Sequence, residues 1–103
     1  MNSKNHLGAY GELYVANYLL SMGLEVFRNL ASSGPTDLVV WNKDTDKLLK
    51  IDVKCVRDPY MRKDGTLSLA KKPQWNGTIA IVVYVHGEAS VRLPEGFWEV
   101  LDV

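Results

Sequence analysis

The sequence predicts an α/β domain in which one N-terminal helix is followed by four or five strands. The first observation behind this fold class is a segment near the N-terminus whose apolar residues recur at helical spacing. The second is a series of short apolar or alternating segments, separated by turn residues, over the rest of the chain. A chain of 103 residues can bury one core, so we expect residues 1–103 to form a single domain.

The first element is predicted to be a helix over residues 7–22, because Gly23 can adopt the left-handed conformation that ends many helices. Successive helical residues are rotated by about 100°, which puts Glu12 in the middle of an apolar stripe, near small residues such as Gly8. Tyr14 falls on the opposite side. A carboxylate on a packed helix face is costly to remove from water. Glu12 therefore indicates a functional site or an ion pair.

The strands follow from apolar runs and from alternation between apolar and polar residues. In the third strand the odd positions are apolar, so alternation puts Asp52 and Lys54 on one face and Cys55 on the other. The connection over residues 57–76 holds several turn signals and is expected to be mostly irregular. The end of the chain fits a helix or a strand. The predicted strands are 24–29, 36–41, 47–56, 78–86 and 89–93.

Three carboxylates and a lysine fall where this fold would bring them together. Hydrolysis of a phosphodiester needs positive charge near the phosphate and an activated water. Magnesium prefers oxygen ligands, and Asp37 and Asp52 on neighbouring strands could supply them, with the Val53 carbonyl as a third. Lys54 is expected to activate the water or hold the scissile phosphate. Glu12 is expected to complete a second metal position or to bind a water on the metal.

Each of these residues also has a simpler explanation. An Asp-x-Lys triplet is common in strands, and an aspartate such as Asp37 often serves a turn. Glu12 could form a buried ion pair with Lys54 or with Arg28. The order of the whole set along the predicted elements favours a metal site.

This constellation resembles the PD-(D/E)XK nuclease superfamily. Pro35-Thr36-Asp37 stands for the first half of that motif, with Thr36 as a departure from it, and Asp52-Val53-Lys54 stands for the second half. The stretch 8–12 resembles the helix motif with its glutamate. The resemblance implies a restriction-endonuclease-like core, with the helix packed on a mixed sheet. Archaeal Holliday junction resolvases, through residues 28–34, and small phage or intron-borne endonucleases are the most similar groups.

If this resemblance holds, it implies Mg²⁺ or Mn²⁺ as cofactor and DNA as substrate. Basic residues after Lys54 are candidates for phosphate contacts, and the serines before Asp37 would touch the backbone in a resolvase-like enzyme. These residues could equally belong to turns and solvated loops. Tyr60 and Trp75 could stack on an unpaired base or anchor the connection to the core. The candidate DNA-binding residues are Ser32, Ser33, Arg57, Arg62, Lys63, Lys71, Lys72 and Gln74.

The charge distribution is compatible with such a partner, although the net charge is zero. Residues 43–72 hold nine Lys or Arg and five Asp, a net charge of +4, whereas residues 73–103 hold one Arg and four acids, a net charge of −3. The single cysteine argues against a disulfide framework, and the sequence lacks a glycine-rich phosphate loop for a nucleotide cofactor.

We therefore expect an intracellular, metal-dependent DNA endonuclease, either structure-selective or encoded by a phage or mobile element. A chain of this size offers one site, so cutting both strands favours a homodimer or a higher homo-oligomer. The alternative is a nucleic-acid-binding module that keeps a nuclease fold without turnover. A membrane is not expected as a partner, because no apolar run approaches the length of a bilayer span. A nucleotide is not expected either, because the sequence lacks the glycine-rich phosphate loop.

Overall fold

The computed structural model describes residues 4–31, 36–69 and 72–103. Within these ranges the chain forms two helices and five strands, and every predicted strand is confirmed to within two residues at each end. The C-terminal segment, whose sequence fits a helix or a strand, contains a short helix. The elements are α1 (Lys4–Ser21), β1 (Glu25–Arg28), β2 (Leu38–Asn42), β3 (Lys47–Arg57), β4 (Ile79–Val85), β5 (Glu88–Arg92) and α2 (Phe97–Val100).

The five strands form one mixed sheet in the order β1-β2-β3-β4-β5. The β3–β4 pair is parallel, and the other neighbouring strands are antiparallel. β2 pairs with β3 up to Ile51, and β4 pairs with it from Asp52 onward. The pairing of the central strand therefore changes from one side to the other between these two residues.

Apolar side chains cover both faces of the sheet. On one face, α1 buries Val15 and Leu19 against a cluster that includes Ile51 and the partly buried Val53. On the other face, β4 residues form a second cluster, against which the long 57–76 connection packs. Odd and even positions of β3 thus face different layers, as the predicted alternation requires.

The orientation of α1 differs from the predicted one. Its most buried residues include Gly11, Val15 and Leu19, so Glu12 lies at the border of the packed face rather than in its middle. Tyr14, predicted to be exposed, is partly buried, and its hydroxyl donates a hydrogen bond to the Ala89 carbonyl at 2.9 Å. The reason is that α1 contacts β3 through Gly11 and not through Gly8.

The 57–76 connection is mostly irregular in its described residues, as predicted. Met61 pairs with Leu67 inside it, and Gln74 pairs with Ile79, the first residue of β4, so two isolated antiparallel bridges form. The turn signal Asp64-Gly65 lies between the two partners of the first bridge.

Neither helix of the described chain has the length and apolarity that crossing a bilayer requires.

Candidate functional site

The candidate site lies where β2 and β3 part. Asp37 immediately precedes β2, and its Oδ2 accepts a hydrogen bond from the backbone N–H of Val53 at 2.7 Å. β2 does not pair with β3 beyond Ile51. The Asp37 carboxylate therefore accepts the Val53 N–H in place of a backbone carbonyl of β2. The N–H and C=O of a strand residue point to the same side, so the Val53 carbonyl also faces this gap.

The backbone around Asp37 is held from two directions. From β3, the carbonyl of Ile51 accepts hydrogen bonds from the Asp37 N–H and from the Thr36 hydroxyl, both at 3.1 Å. From the other side, Asn29 donates its N–H to the Asp37 carbonyl at 3.0 Å and its side-chain amide to the Thr36 carbonyl at 2.9 Å. The Asn29 side-chain oxygen also accepts the Ala31 N–H at 2.9 Å. The position of the Asp37 carboxylate is therefore largely fixed before any ligand binds.

Glu12 reaches the same place from α1. Its neighbour Gly11 lets the helix approach β3 closely, since a Cβ atom at that position would lie 3.0 Å from Cβ of Cys55. The two carboxylates, of Glu12 and Asp37, share a polar pocket of about 250 Å³. Its lining residues are Glu12, Arg28, Asn29, Leu30, Ala31 and Asp37.

Burial and the nearby negative charge of Asp37 raise the pKa of Glu12, and Arg28 opposes this shift. Arg28 Nε lies 3.8 Å from Glu12 Oε1, and the Arg28 side chain is 57% exposed. The structure therefore pairs Glu12 with Arg28 and not with Lys54. The two groups are far apart for an ion pair and lie near solvent, where such pairs contribute little to stability. Burial and the Asp37 carboxylate therefore raise the pKa of Glu12 in spite of Arg28, and a cation bound beside the two carboxylates would relieve their repulsion.

The side chains of Asp52 and Lys54 lie on the face of β3 that points away from α1. Val53 and Cys55 contact Gly11 of α1, so the intervening residues point away from the helix. Oδ2 of Asp52 lies 3.8 Å from the position that a Cβ atom on Gly77 would occupy. Lys54 is exposed. The predicted alternation of β3 is confirmed, and it separates this pair from the side of the sheet on which Glu12 lies.

The residues present fit a divalent cation, but with a smaller ligand set than the sequence predicted. No group of three or more His, Cys, Asp or Glu side chains that could hold a metal occurs within residues 4–31, 36–69 and 72–103. Magnesium often binds through one or two carboxylates and keeps several waters. Asp37 and Glu12, with the Val53 carbonyl beside them, meet that requirement. The ligand role of Asp52 stays a prediction.

The candidate DNA-binding residues of the described chain are spread along the connection after β3. Arg57 ends β3 near the Asp58 carboxylate, at 3.7 Å, and Lys63 and Lys72 are exposed. Gln74 pairs with Ile79, the β4 partner of Asp52, so it lies on the Asp52 face, and its role in DNA binding stays a prediction. Ser32, Ser33 and Lys71 lie outside the described residues, as does Pro35 of the motif.

The two aromatic residues of this connection differ. Trp75 donates its indole N–H to the Glu95 carbonyl at 3.1 Å and stacks on Phe97 at 6.3 Å between ring centroids, so it anchors the connection to the core. Tyr60 is 71% exposed.

Sequence reasoning missed Asn29 and treated Arg28 as an ion-pair alternative only. One signal for Asn29 was available, because an asparagine before a Ser-, Gly- and Pro-rich segment often bonds to the backbone two residues later. Arg28 gave no such signal, since its proximity to Glu12 depends on how β1 and α1 pack.

No protein family matches this chain, and no curated protein is similar to it in sequence. Its fold is similar to that of a bacterial homing endonuclease, I-Ssp6803I, with a TM-score of 0.55 and 19% sequence identity. The similarity covers 99% of this chain and 74% of that one. At this level of identity, the comparison shows a shared α/β fold.

Proposed function

We propose that this chain is a metal-dependent DNA endonuclease that hydrolyses phosphodiester bonds. The observation that carries the proposal is the pair of carboxylates, Glu12 and Asp37, held in one pocket where β2 and β3 part. The similarity of the fold to a homing endonuclease supports it. We assign the chain to the PD-(D/E)XK superfamily on its motif residues.

In this proposal Asp37 and Glu12, with the Val53 carbonyl, hold Mg²⁺ or Mn²⁺. Such an ion would neutralise charge developing on the phosphate and lower the pKa of a water. The Val53 N–H keeps the Asp37 carboxylate in place. Lys54 lies with Asp52 on the face away from α1, and its role, to orient the water or hold the scissile phosphate, is assigned from the motif. Asp52 is assigned from the motif as a further ligand. Because it lies apart from Glu12, its role is tested by a variant of its own.

DNA is the proposed partner, and the basic residues of the 57–76 connection are its proposed phosphate contacts. A four-way junction or a site in a mobile element would suit a small domain. Each chain offers one such site, so cleavage of both strands needs two copies or two encounters, and we propose a homodimer.

The test is a cleavage assay in magnesium and then in manganese. The substrates are a labelled four-way junction, a plain duplex and single-stranded DNA, and the controls are Asp37→Asn and Asp52→Asn. We expect metal-dependent cutting that Asp37→Asn abolishes. Loss in both variants adds Asp52 to the site with Asp37, whereas loss in Asp37→Asn alone excludes Asp52 from the ligand set.

Paired symmetrical nicks in the junction alone would identify a resolvase, and cutting of duplex would identify a general or site-specific enzyme. If no substrate is cut and calorimetry detects no Mg²⁺ or Mn²⁺ binding, the nuclease proposal is wrong and the chain is a binding module.

A further inference from the structure

Residues 60–68 form a short two-stranded ribbon, which we call the 60–68 ribbon. Met61 pairs with Leu67 in an antiparallel bridge. The Ser68 N–H donates to the Tyr60 carbonyl, and the Arg62 N–H donates to the Thr66 carbonyl, both at 2.7 Å. These contacts define a register in which Tyr60 lies opposite Ser68 and Arg62 lies opposite Thr66.

The turn at the tip of the ribbon is well determined. Gly65 has a φ of 86°, a conformation that glycine adopts readily, and its N–H donates to the Arg62 carbonyl at 3.0 Å. The Asp64 carboxylate accepts hydrogen bonds from both the hydroxyl and the N–H of Thr66, and these bonds lower the pKa of Asp64. The ribbon is therefore preorganised, with an ionised carboxylate used inside its own turn.

The base of the ribbon is anchored on the Lys54 side of the sheet. Leu67 and Leu69 pack against Ile79, Ile81 and Val83 of β4. Ile81 is the β4 partner of Lys54, and cross-strand partners share a face. The ribbon thus stands on the same face as the lysine that the proposed chemistry uses.

The two faces of the ribbon differ in chemistry. Leu67 turns inward, and alternation points the Tyr60–Ser68 and Arg62–Thr66 pairs the other way. All four of these outward residues are exposed, and Tyr60 is the most prominent, at 71%. They present the Tyr60 phenol and the Ser68 hydroxyl, and Lys63 is exposed at the tip. The Thr66 hydroxyl is bonded to Asp64, and Arg62 Nη1 donates to the Leu67 carbonyl at 3.3 Å, so these two groups are held by the ribbon itself.

We propose that the 60–68 ribbon enters the major groove of duplex DNA, where Tyr60 and Ser68 contact base edges and Arg62 and Lys63 contact phosphates. The inference rests on the proposed function, because it takes DNA as the substrate. The major groove admits a two-stranded ribbon, and each base pair presents a distinct set of donors and acceptors there. A serine hydroxyl suits those edges, and the phenol adds a donor and an acceptor.

Duplex DNA fits the ribbon better than an unpaired strand. Binding of single strands relies on stacking of successive bases on several aromatic rings over a basic groove. Tyr60 supplies the one ring on this ribbon, and Trp75 is committed to Phe97 and Glu95. The outward face is instead rich in groups that make directional hydrogen bonds.

The experiment measures binding without cleavage. An Asp37→Asn protein in calcium selects sequences from a randomised duplex library, and the selection is repeated with Tyr60→Phe and Ser68→Ala added. These changes remove two hydroxyls without altering the turn or the anchor. Ser90→Ala, an exposed serine on β5, is the matched control.

We expect the starting protein to select a short run of adjacent base pairs, and the double variant to lose about fivefold to a hundredfold of the discrimination at one or two of them. Lys63→Ala should weaken binding to all sequences and reduce the salt slope of log K by about one, whereas Lys47→Ala, at the far end of β3, should not.

Unchanged base preferences in the double variant, or tighter binding to single strands than to duplex, would overturn the ribbon inference. The cleavage assay separates it from the proposed function. Base preferences that depend on the ribbon, in a wild-type protein that cuts none of the selected sequences and binds no Mg²⁺ or Mn²⁺, would support the ribbon and refute the nuclease. If the wild-type protein cleaves DNA and the double variant keeps its base preferences, the nuclease is supported and the ribbon inference is refuted.

Discussion

The Asp37 carboxylate accepts the backbone N–H of Val53 at 2.7 Å, and it does so at the point where β3 loses its β2 partner. A side chain thus completes the hydrogen bonding of the sheet while it lines the pocket that also holds Glu12. The same carboxylate is structural and, in our proposal, catalytic, and the two roles can be separated by substitution.

Asp37→Asn and Asp37→Ala should have the same effect on cleavage and different effects on stability. Both remove the negative charge, so we expect either variant to lose at least a hundredfold in rate. Asparagine keeps an oxygen that can accept the Val53 N–H, whereas alanine leaves this donor unpaired, which costs about 1–3 kcal/mol. Thermal unfolding of the two variants measures the difference. Equal melting temperatures would show that the hydrogen bond contributes nothing.

Substitution of two helical glycines should act in opposite directions. Gly11→Ala puts a Cβ atom 3.0 Å from Cβ of Cys55, so it should push α1 from β3 and destabilise the protein by about 1–3 kcal/mol. Gly8→Ala meets nothing within 4 Å and should stabilise the helix by roughly 0.5–1 kcal/mol. Denaturant unfolding tests both. Because Glu12 moves with α1, Gly11→Ala should also reduce cleavage, and full activity in that variant would contradict the proposed site.

Glu12→Gln should stabilise the metal-free protein at neutral pH. The pKa of Glu12 is raised in the folded state, so the native protein binds a proton more readily than the unfolded chain does. The stability linked to this group is complete below the unfolded pKa and is lost as the pH rises through the folded pKa. Glutamine mimics the protonated form, and we expect a melting temperature a few degrees higher at pH 7.

This gain should shrink as the pH falls through the raised pKa of Glu12 in the folded protein, and it should vanish below the ordinary glutamate value of 4.5, where Glu12 is protonated in both states. Melting curves across this range, with exposed Glu88→Gln as the control, measure it. A lower melting temperature for Glu12→Gln at neutral pH would mean that the ion pair with Arg28 dominates.

Asn29→Ala should impair catalysis without impairing DNA binding. The side chain joins the Thr36 carbonyl to the Ala31 N–H, and it thereby supports the segment that carries Asp37. Loss of this support should lower kcat by about tenfold and leave KM nearly unchanged. Asn29→Asp keeps the acceptor for Ala31 and should recover part of the rate. If the melting temperature falls and KM rises in parallel in both variants, Asn29 acts in folding alone.

Lys54→Ala should abolish cleavage and leave DNA binding nearly intact. General acid–base or charge-stabilising groups of this kind contribute about a hundredfold to ten-thousandfold in rate. Lys50→Ala is the matched control, because it lies at an even position of the same strand and is exposed. Single-turnover cleavage and calcium-dependent binding are the two measurements. Equal loss of both in Lys54→Ala would reduce this lysine to a phosphate contact.

The strands could be predicted because alternation and turn residues are local properties. The third strand illustrates this: its alternation correctly put Asp52 and Lys54 on the face away from Cys55. The change of partner between Ile51 and Asp52 could not be predicted, since it depends on the non-local pairing with β4. The separation of Asp52 from Glu12 follows instead from the alternation of β3, which puts Asp52 on the face away from α1.

The orientation of α1 was predicted less well, because its apolar residues do not form one stripe. Leu13 is 53% exposed and Leu20 is 51% exposed, so hydrophobicity alone does not define the packed face. Gly11 defines it, through its close approach to β3, and a small residue carries no hydrophobic signal. In the 60–68 ribbon, by contrast, the Asp64-Gly65 pair did indicate a turn, but no local signal showed that Leu67 would anchor it.

The parallel pairing of β3 with β4 has a consequence for the order of folding. Nine residues separate β1 from β2 and four separate β2 from β3, so the contacts of these strands form between residues that are close in sequence. The contact between β3 and β4 closes the whole connection between them, and non-local pairing of this kind is slow. We expect the N-terminal half, which carries Glu12 and Asp37, to associate first, and docking of β4 to set the rate at which the native sheet appears. A longer connection would slow this step while costing only about 0.6 kcal/mol of loop entropy for each doubling of its length.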